Sequence, residues 1–139
     1  MVEAKSTPAR RATYEDLLRV PENMVAEIVD GELIVLPRPA PPHANAASGI
    51  GGALWEPFHR PPDGPGGPGG WWILDEPELH LGEDVLVPDL AGWRRDRLPS
   101  LPDEAFFRLP PDWVCEVVSP RTASLDRVRK AAIYARERV

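Results

Sequence analysis

The sequence predicts a single α/β (α+β) domain, and three observations predict it. An Asp-Gly pair separates two β-rich runs, residues 25–29 and 32–36. Two later apolar runs, 85–93 and 113–118, read as buried strands, and each is cut by one carboxylate. Apolar residues recur at helical spacing over 43–55 and again from about 124 to 137, so helices separate and follow the strands.

Residues 1–12 read as a disordered lead-in, and 13–139 as the domain. Thr13, with Asp16 three positions on, resembles a capping box before Leu17 and Leu18, which predicts a short helix over about 14–19 ended by Pro21. Asp30-Gly31 between Val25–Val29 and Glu32–Leu36 is a strong hairpin signal, because both turn residues must adopt positive φ. A two-residue turn sets the register, with Val29 opposite Glu32 and Glu27 opposite Ile34. After an extended proline stretch, 37–42, a helix is expected over 43–55. Gly49, Gly51 and Gly52 weaken it by roughly 1 kcal/mol each against alanine unless they permit close packing.

The stretch 60–70 (RPPDGPGGPGG) reads as a flexible loop. Strands follow over 71–74 and 78–81, split by Pro77. Pro88 cannot donate to a sheet ladder, so the run 85–93 must break or bulge at its centre. A charged, proline-rich loop fills 94–112. The closing helix carries an expected apolar stripe of Leu125, Val128, Ala132 and Ala135. Trp71, Trp72, Trp93 and Trp113 in strands and Trp55 on a helix are all expected in the core.

A chain of 139 residues with 42% hydrophobic and 27% charged residues suits one soluble globular domain. No run is long enough for a membrane span, and the basic start lacks the apolar segment of a secretory signal, so a cytoplasmic protein with no membrane partner is expected. The single cysteine, Cys115, reads as a small buried hydrophobe. A net charge of −6 argues against simple electrostatic adhesion to nucleic acid. The charge is uneven: residues 12–93 carry three basic and fourteen acidic groups, and residues 94–139 carry ten basic and seven acidic. Arginine outnumbers lysine fourteen to two, which draws attention to the internal Lys130.

Asp89 and Glu116 interrupt apolar strands, and an ionised carboxylate is costly to bury without a partner. Such acids sit at strand ends, pair with cations or bind metal; taken singly, each is better read as a strand-end acid or a structural ion pair. Together on neighbouring strands they suit Mg²⁺, a hard ion that keeps several waters. Lys130, four residues after Asp126, reads either as a surface i, i+4 ion pair or as a cation aimed at such a site. Glu27 reads as an acid on the hairpin surface or as a further carboxylate of the site. His43 is a loop polar residue or a substrate contact; no two histidines stand at zinc spacing, and no paired-cysteine motif occurs. Ser119 and Ser124 lack a nucleophile-elbow setting, and no Gly-Lys-Ser/Thr phosphate loop follows any glycine cluster.

In order along the chain stand Ala26-Glu27-Ile28-Val29-Asp30-Gly31-Glu32-Leu33, His43 after a proline stretch, Val87-Pro88-Asp89-Leu90-Ala91, Val114-Cys115-Glu116-Val117-Val118-Ser119-Pro120, and Asp126, Lys130 and Tyr134 at steps of four. This ordered set, spanning residues 13–139, resembles the Uma-two family of restriction endonucleases within the PD-(D/E)XK nuclease superfamily. The resemblance implies a restriction-endonuclease-like core, a mixed central β-sheet flanked by helices. It implies hydrolysis of phosphodiester bonds in nucleic acid, DNA before RNA, with Mg²⁺ or Mn²⁺; the alternative is an inactive nuclease-fold module for interaction or nucleic-acid binding. It implies that Asp89, Glu116, the Val117 carbonyl and Glu27 hold metal, with Asp89, Glu116 and Lys130 catalytic. His43, Arg121 and Arg127 are expected to contact substrate, and a homodimer is compatible with cutting both strands. The superfamily lysine two residues after Glu116 is replaced by Val118, and the family places it on the next helix, at Lys130. Family members continue past this helix into a further strand, so a C-terminally shortened core is expected at Val139.

Overall fold

A computed structural model describes residues 10–119 and 124–139, with side chains of the last segment described from Arg127 onward. The elements run α1 (Tyr14–Leu18), β1 (Val25–Val29), β2 (Glu32–Leu36), α2 (Pro41–Phe58), β3 (Trp71–Asp75), β4 (Leu79–Leu81), β5 (Asp84–Leu86), β6 (Leu90–Arg94), β7 (Trp113–Cys115) and α3 (Ser124–Arg136). The capping box forms as its residues demand: Thr13 accepts from the Asp16 amide, and the Asp16 side chain accepts from the Thr13 amide. The β1–β2 hairpin turns through Asp30 and Gly31, both at positive φ, and its register pairs Val29 with Glu32 and Glu27 with Ile34. Residues 10–12, expected in the tail, are tied to this hairpin, since Ala12 donates its amide to the Gly31 carbonyl.

Two antiparallel sheets result, in the orders β2-β1-β5-β4 and β3-β6-β7, and a parallel bridge joins Leu79 to Phe107. The chain crosses between the sheets at Val87-Pro88-Asp89, where β5 ends and β6 has not begun. That break is where Pro88, lacking an amide hydrogen, interrupts the ladder. The core joins both sheets to α3 through Val29, Leu79, Leu81, Leu86, Ala91, Trp93, Ile133 and Tyr134. Trp93 is fully buried, stacks on Phe107 and donates its indole N–H to the Leu109 carbonyl, so its one polar atom is satisfied.

Three expectations are corrected. The β7 strand ends at Cys115, so Glu116 stands just past a strand end and not inside a strand. The apolar stripe of α3 is not the one its spacing suggested: Val128, Ala132 and Ala135 face solvent, whereas Ile133 and Tyr134 are buried. The buried face of α3 also carries Lys130, because the sheet beneath it offers carboxylates as well as apolar side chains. Leu125 lies outside the described side chains. Trp55 is 52% exposed and not in the core, because it borders an open cavity beside β3. The α2 helix runs longer than expected and tolerates its glycines in open positions, Gly51 alone meeting a neighbour, the Leu90 side chain.

Candidate active site

Leu90 opposite Cys115 is the last pair of the β6–β7 ladder, and Asp89 and Glu116 each stand one residue beyond it, at the same end of the sheet. The Val117 amide caps the arrangement by donating to Asp89 Oδ2 at 2.6 Å, which fixes the carboxylate plane.

The α3 helix brings the cation. Lys130 Nζ lies 2.7 Å from Glu116 Oε1 and 3.0 Å from Glu27 Oε1. Tyr134, one turn on, donates its hydroxyl to the same Glu116 oxygen at 2.9 Å. Spacing of four puts Lys130 and Tyr134 on one face, and that face meets Glu116. Glu27 is 4% exposed, so the hairpin-surface alternative is overturned: β1 is an inner strand, and α3 covers its carboxylate.

His43, near the start of α2, places Nε2 3.1 Å from Asp89 Oδ1. The contact has ion-pair distance without hydrogen-bond alignment, and Nε2 is a buried nitrogen with no hydrogen-bond partner. Arg127 is exposed on α3, and Arg121 lies outside the described residues, as does the side chain of Asp126.

The site carries three carboxylates, Glu27, Asp89 and Glu116, against one ammonium. Burial leads each shift around it, and the neighbouring charges add to it or oppose it. Two adjacent carboxylates outweigh burial and hold the Lys130 ammonium above the ordinary lysine value. Burial, reinforced by the Glu116, Glu27 and Asp89 charges, drives the Tyr134 phenol far up, so it remains a donor. Burial pushes Glu27 up, opposed by Lys130. The Cys115 thiol is raised by burial and then by Asp89 and Glu116, which favours its protonated form.

The donor set decides which metal the residues suit. Among the described residues no group of three or more His, Cys, Asp and Glu side chains is arranged to grip an ion. The oxygens of Asp89 and Glu116 are hard donors, the class by which Mg²⁺ is commonly held together with waters and substrate phosphate.

Sequence reasoning missed the Tyr134 hydroxyl on Glu116 and the His43–Asp89 contact. The step of four from Lys130 to Tyr134 pointed to the first; no local pattern links His43 to an acid 46 residues away. Beside Asp89 opens a cavity of about 400 Å³, lined by His43, Ala47, Gly51, Trp55, Ile73 and Asp75 among others. No helix among the described residues is long and apolar enough to cross a membrane.

A family model described as "Putative restriction endonuclease", Uma2, matches residues 11–139. No curated protein matches the chain. A solved structure titled "Crystal structure of a putative nuclease belonging to DUF820 from Anabaena variabilis ATCC 29413" is similar with a TM-score of 0.72 at 20% identity, covering 90% of this chain and 68% of that one. That likeness shows a shared fold.

Proposed function

The chain belongs to the Uma2 family of restriction endonucleases, and from that membership we propose that it hydrolyses phosphodiester bonds in DNA with Mg²⁺ or Mn²⁺. The observation that supports the proposal is the Lys130 ammonium on Glu116, with Asp89 one residue beyond the same end of the β6–β7 ladder. Asp89, Glu116 and the Val117 carbonyl would hold the ion, which supplies a Lewis acid for the phosphoryl oxygens when bound. Glu27 stands behind Lys130 with one oxygen on the ammonium, and it would lend its negative charge to a metal held beside Glu116.

The chain's own groups have separable tasks. Lys130 presents a compact positive charge where the pentacoordinate phosphorus gathers negative charge. Glu27 keeps that ammonium charged and placed. Tyr134 fixes the Glu116 oxygen it shares with Lys130. His43 borders Asp89 on the cavity side, where a substrate strand would lie. In the reaction a water oxygen bonds to phosphorus, the bond from phosphorus to one ester oxygen breaks, and the proton lost by the water is matched by one that the leaving alkoxide gains from solvent. Arg121 and Arg127 would meet backbone phosphates. A homodimer would present two such sites to the two strands of a duplex.

Cleavage of supercoiled plasmid, single-stranded DNA and RNA tests the reading, with Mg²⁺, Mn²⁺ or EDTA. Wild type should cut DNA only with metal, and Asp89→Asn or Glu116→Gln should lower the rate by roughly a hundredfold or more. Calorimetric titration with Mn²⁺ should show binding by wild type and its loss in Asp89→Asn. Cleavage that persists in EDTA, or that ignores both substitutions, would remove the proposal. One observation favours a second reading, a module that binds without cutting: Lys130 already supplies a cation to Glu116 and Glu27. Metal-dependent DNA binding with no product after prolonged incubation would establish that reading.

A further inference from the structure

The cavity beside Asp89 has features that phosphodiester cleavage does not use. It runs along α2 from His43 to Trp55, roughly 18 Å at 1.5 Å rise per residue. Its α2 wall is made of small residues, Ala44, Ala47, Ser48, Gly51 and Gly52. At the far end stands Trp55, the most unusual side chain on this surface. It is 52% exposed, yet its position is fixed: one indole face stacks on His59 with centroids 3.5 Å apart and planes 11° from parallel. His59 is itself held, since its Nδ1 accepts the Ile73 amide at 2.9 Å, and its ring meets Trp72 edge-on. Burial, and then Arg95, lower the His59 basicity and favour the neutral ring. An exposed indole with a rigid backing is a stacking platform whose ordering cost is already met.

The opposite wall gives the chemistry of the occupant. Asp75, Glu76 and Asp89 line the cavity, and among the described residues no lysine or arginine does. The Glu76 amide donates to the Asp89 carbonyl, which ties the acidic wall to the catalytic strand end. A phosphate is repelled by this lining. A nucleobase is not: its face suits Trp55, and its exocyclic amine suits a carboxylate acceptor. A volume near 400 Å³ lies in the range of sites for small ligands.

We propose that this cavity is a subsite for an unpaired nucleobase of the substrate strand, stacked on Trp55 and selected for an exocyclic amine by Asp75 and Glu76. It rests on the reading of the chain as a nucleic-acid enzyme and deepens it: the preferred substrate has a single-stranded segment next to the cut, because a paired base cannot offer its face. The backbone phosphates of that segment stay outside the acidic wall.

The test is binding of the full chain to labelled oligonucleotides of oligo-dC, oligo-dT and a blunt duplex of equal length, by fluorescence anisotropy in EDTA, where no cleavage occurs. Oligo-dC should bind more tightly than oligo-dT, and both more tightly than the duplex. Trp55→Ala should weaken oligo-dC binding by roughly five- to 150-fold, the range of one base–aromatic stack, and Trp55→Phe should recover most of it. Asp75→Asn with Glu76→Gln should abolish the preference for dC over dT. The fold of each variant is checked by its thermal midpoint. Equal affinity for single strand and duplex, no effect of Trp55→Ala, or no binding by wild type would each overturn the subsite. Cleavage that proceeds normally in a Trp55-indifferent enzyme sinks the subsite and keeps the nuclease. Trp55-dependent binding without cleavage under any metal keeps the subsite and sinks the nuclease.

Discussion

Two neighbouring cations on α3 are used in opposite ways. Lys130 is 12% exposed and sits between Glu27, 6% exposed, and Glu116. Arg129, the residue before it, reaches Asp30 and Glu32 on the hairpin turn, acids that are 57% and 64% exposed, and donates to the Val29 carbonyl. One residue along a helix turns the side chain by about 100°, which is enough to send one cation inward and the other to the rim. The rim pairs are screened by solvent and act chiefly to set where α3 lies. The inner pair operates where water is scarce, so its charge is strongly felt and its loss is expensive. The choice of residue follows: a guanidinium fork spans two exposed acids and a carbonyl, while a compact ammonium fits between the oxygens of buried Glu27 and half-buried Glu116.

The largest expected effect comes from removing the inner cation. Lys130→Met should lower DNA cleavage by roughly 10²- to 10³-fold. It should also destabilise the domain by about 3–5 kcal/mol in urea unfolding, because Glu27 is left buried and unpaired. Adding Glu27→Gln should restore most of the stability and none of the activity. If Lys130→Met alone unfolds at the wild-type midpoint, the buried pair is not what holds α3. The charge gives a pH signature as well. Lys130 has a folded-state pKa above its unfolded one, so its contribution is full below the ordinary lysine value and is lost as pH rises through the higher folded value. The alkaline limb of wild-type stability should therefore be absent in Lys130→Met.

Tyr134→Phe is the next sharpest probe. It deletes one hydroxyl from a shared Glu116 oxygen and leaves Lys130 in place. A hydrogen bond to a charged group is worth about 1.5–3 kcal/mol, so cleavage should fall by roughly 10- to 150-fold. An unchanged rate with normal stability would mean that Lys130 alone positions Glu116.

Much of the frame of this comparison was readable from residue order. The Asp30-Gly31 hairpin and its register follow from turn chemistry, and Pro88 announced the break in the run 85–93 beside Asp89, though not that the break is a crossing between sheets. Local rules work there because the determinant is within a few residues. Asp89 and Glu116 were legible as acids out of place, but their placement depends on the β6–β7 register, which joins residues 21 to 25 apart. The α3 stripe misled for a related reason: apolar periodicity assumes an apolar partner, and here the facing surface carries Glu27 and Glu116. Trp55 was misread because composition treats an indole as core, although only packing decides whether something covers it.

Between the buried pair and the rim pairs stands a third case, Asp16, and it yields the smallest expected effect. Its carboxylate accepts from Arg10 at 2.9 Å and from the Thr13 amide at 2.8 Å. The Arg10 hydrogen bond first, and the Thr13 amide next, hold its pKa down at about 2. A depressed folded-state value means a contribution that is present above the ordinary aspartate value and lost as pH falls towards about 2. Asp16→Asn should lower the thermal midpoint slightly at pH 7, and the gap to wild type should close as the solution is acidified. Cleavage at pH 7 should be unaffected, since α1 packs on β1 through Leu17 and Ile28, away from Lys130. High salt should shrink the Asp16→Asn deficit, as it would for any exposed pair, while leaving the deficit of Lys130→Met nearly intact. Equal salt sensitivity of the two variants would erase the distinction between inner and rim cations on which the active-site assignment of Lys130 depends.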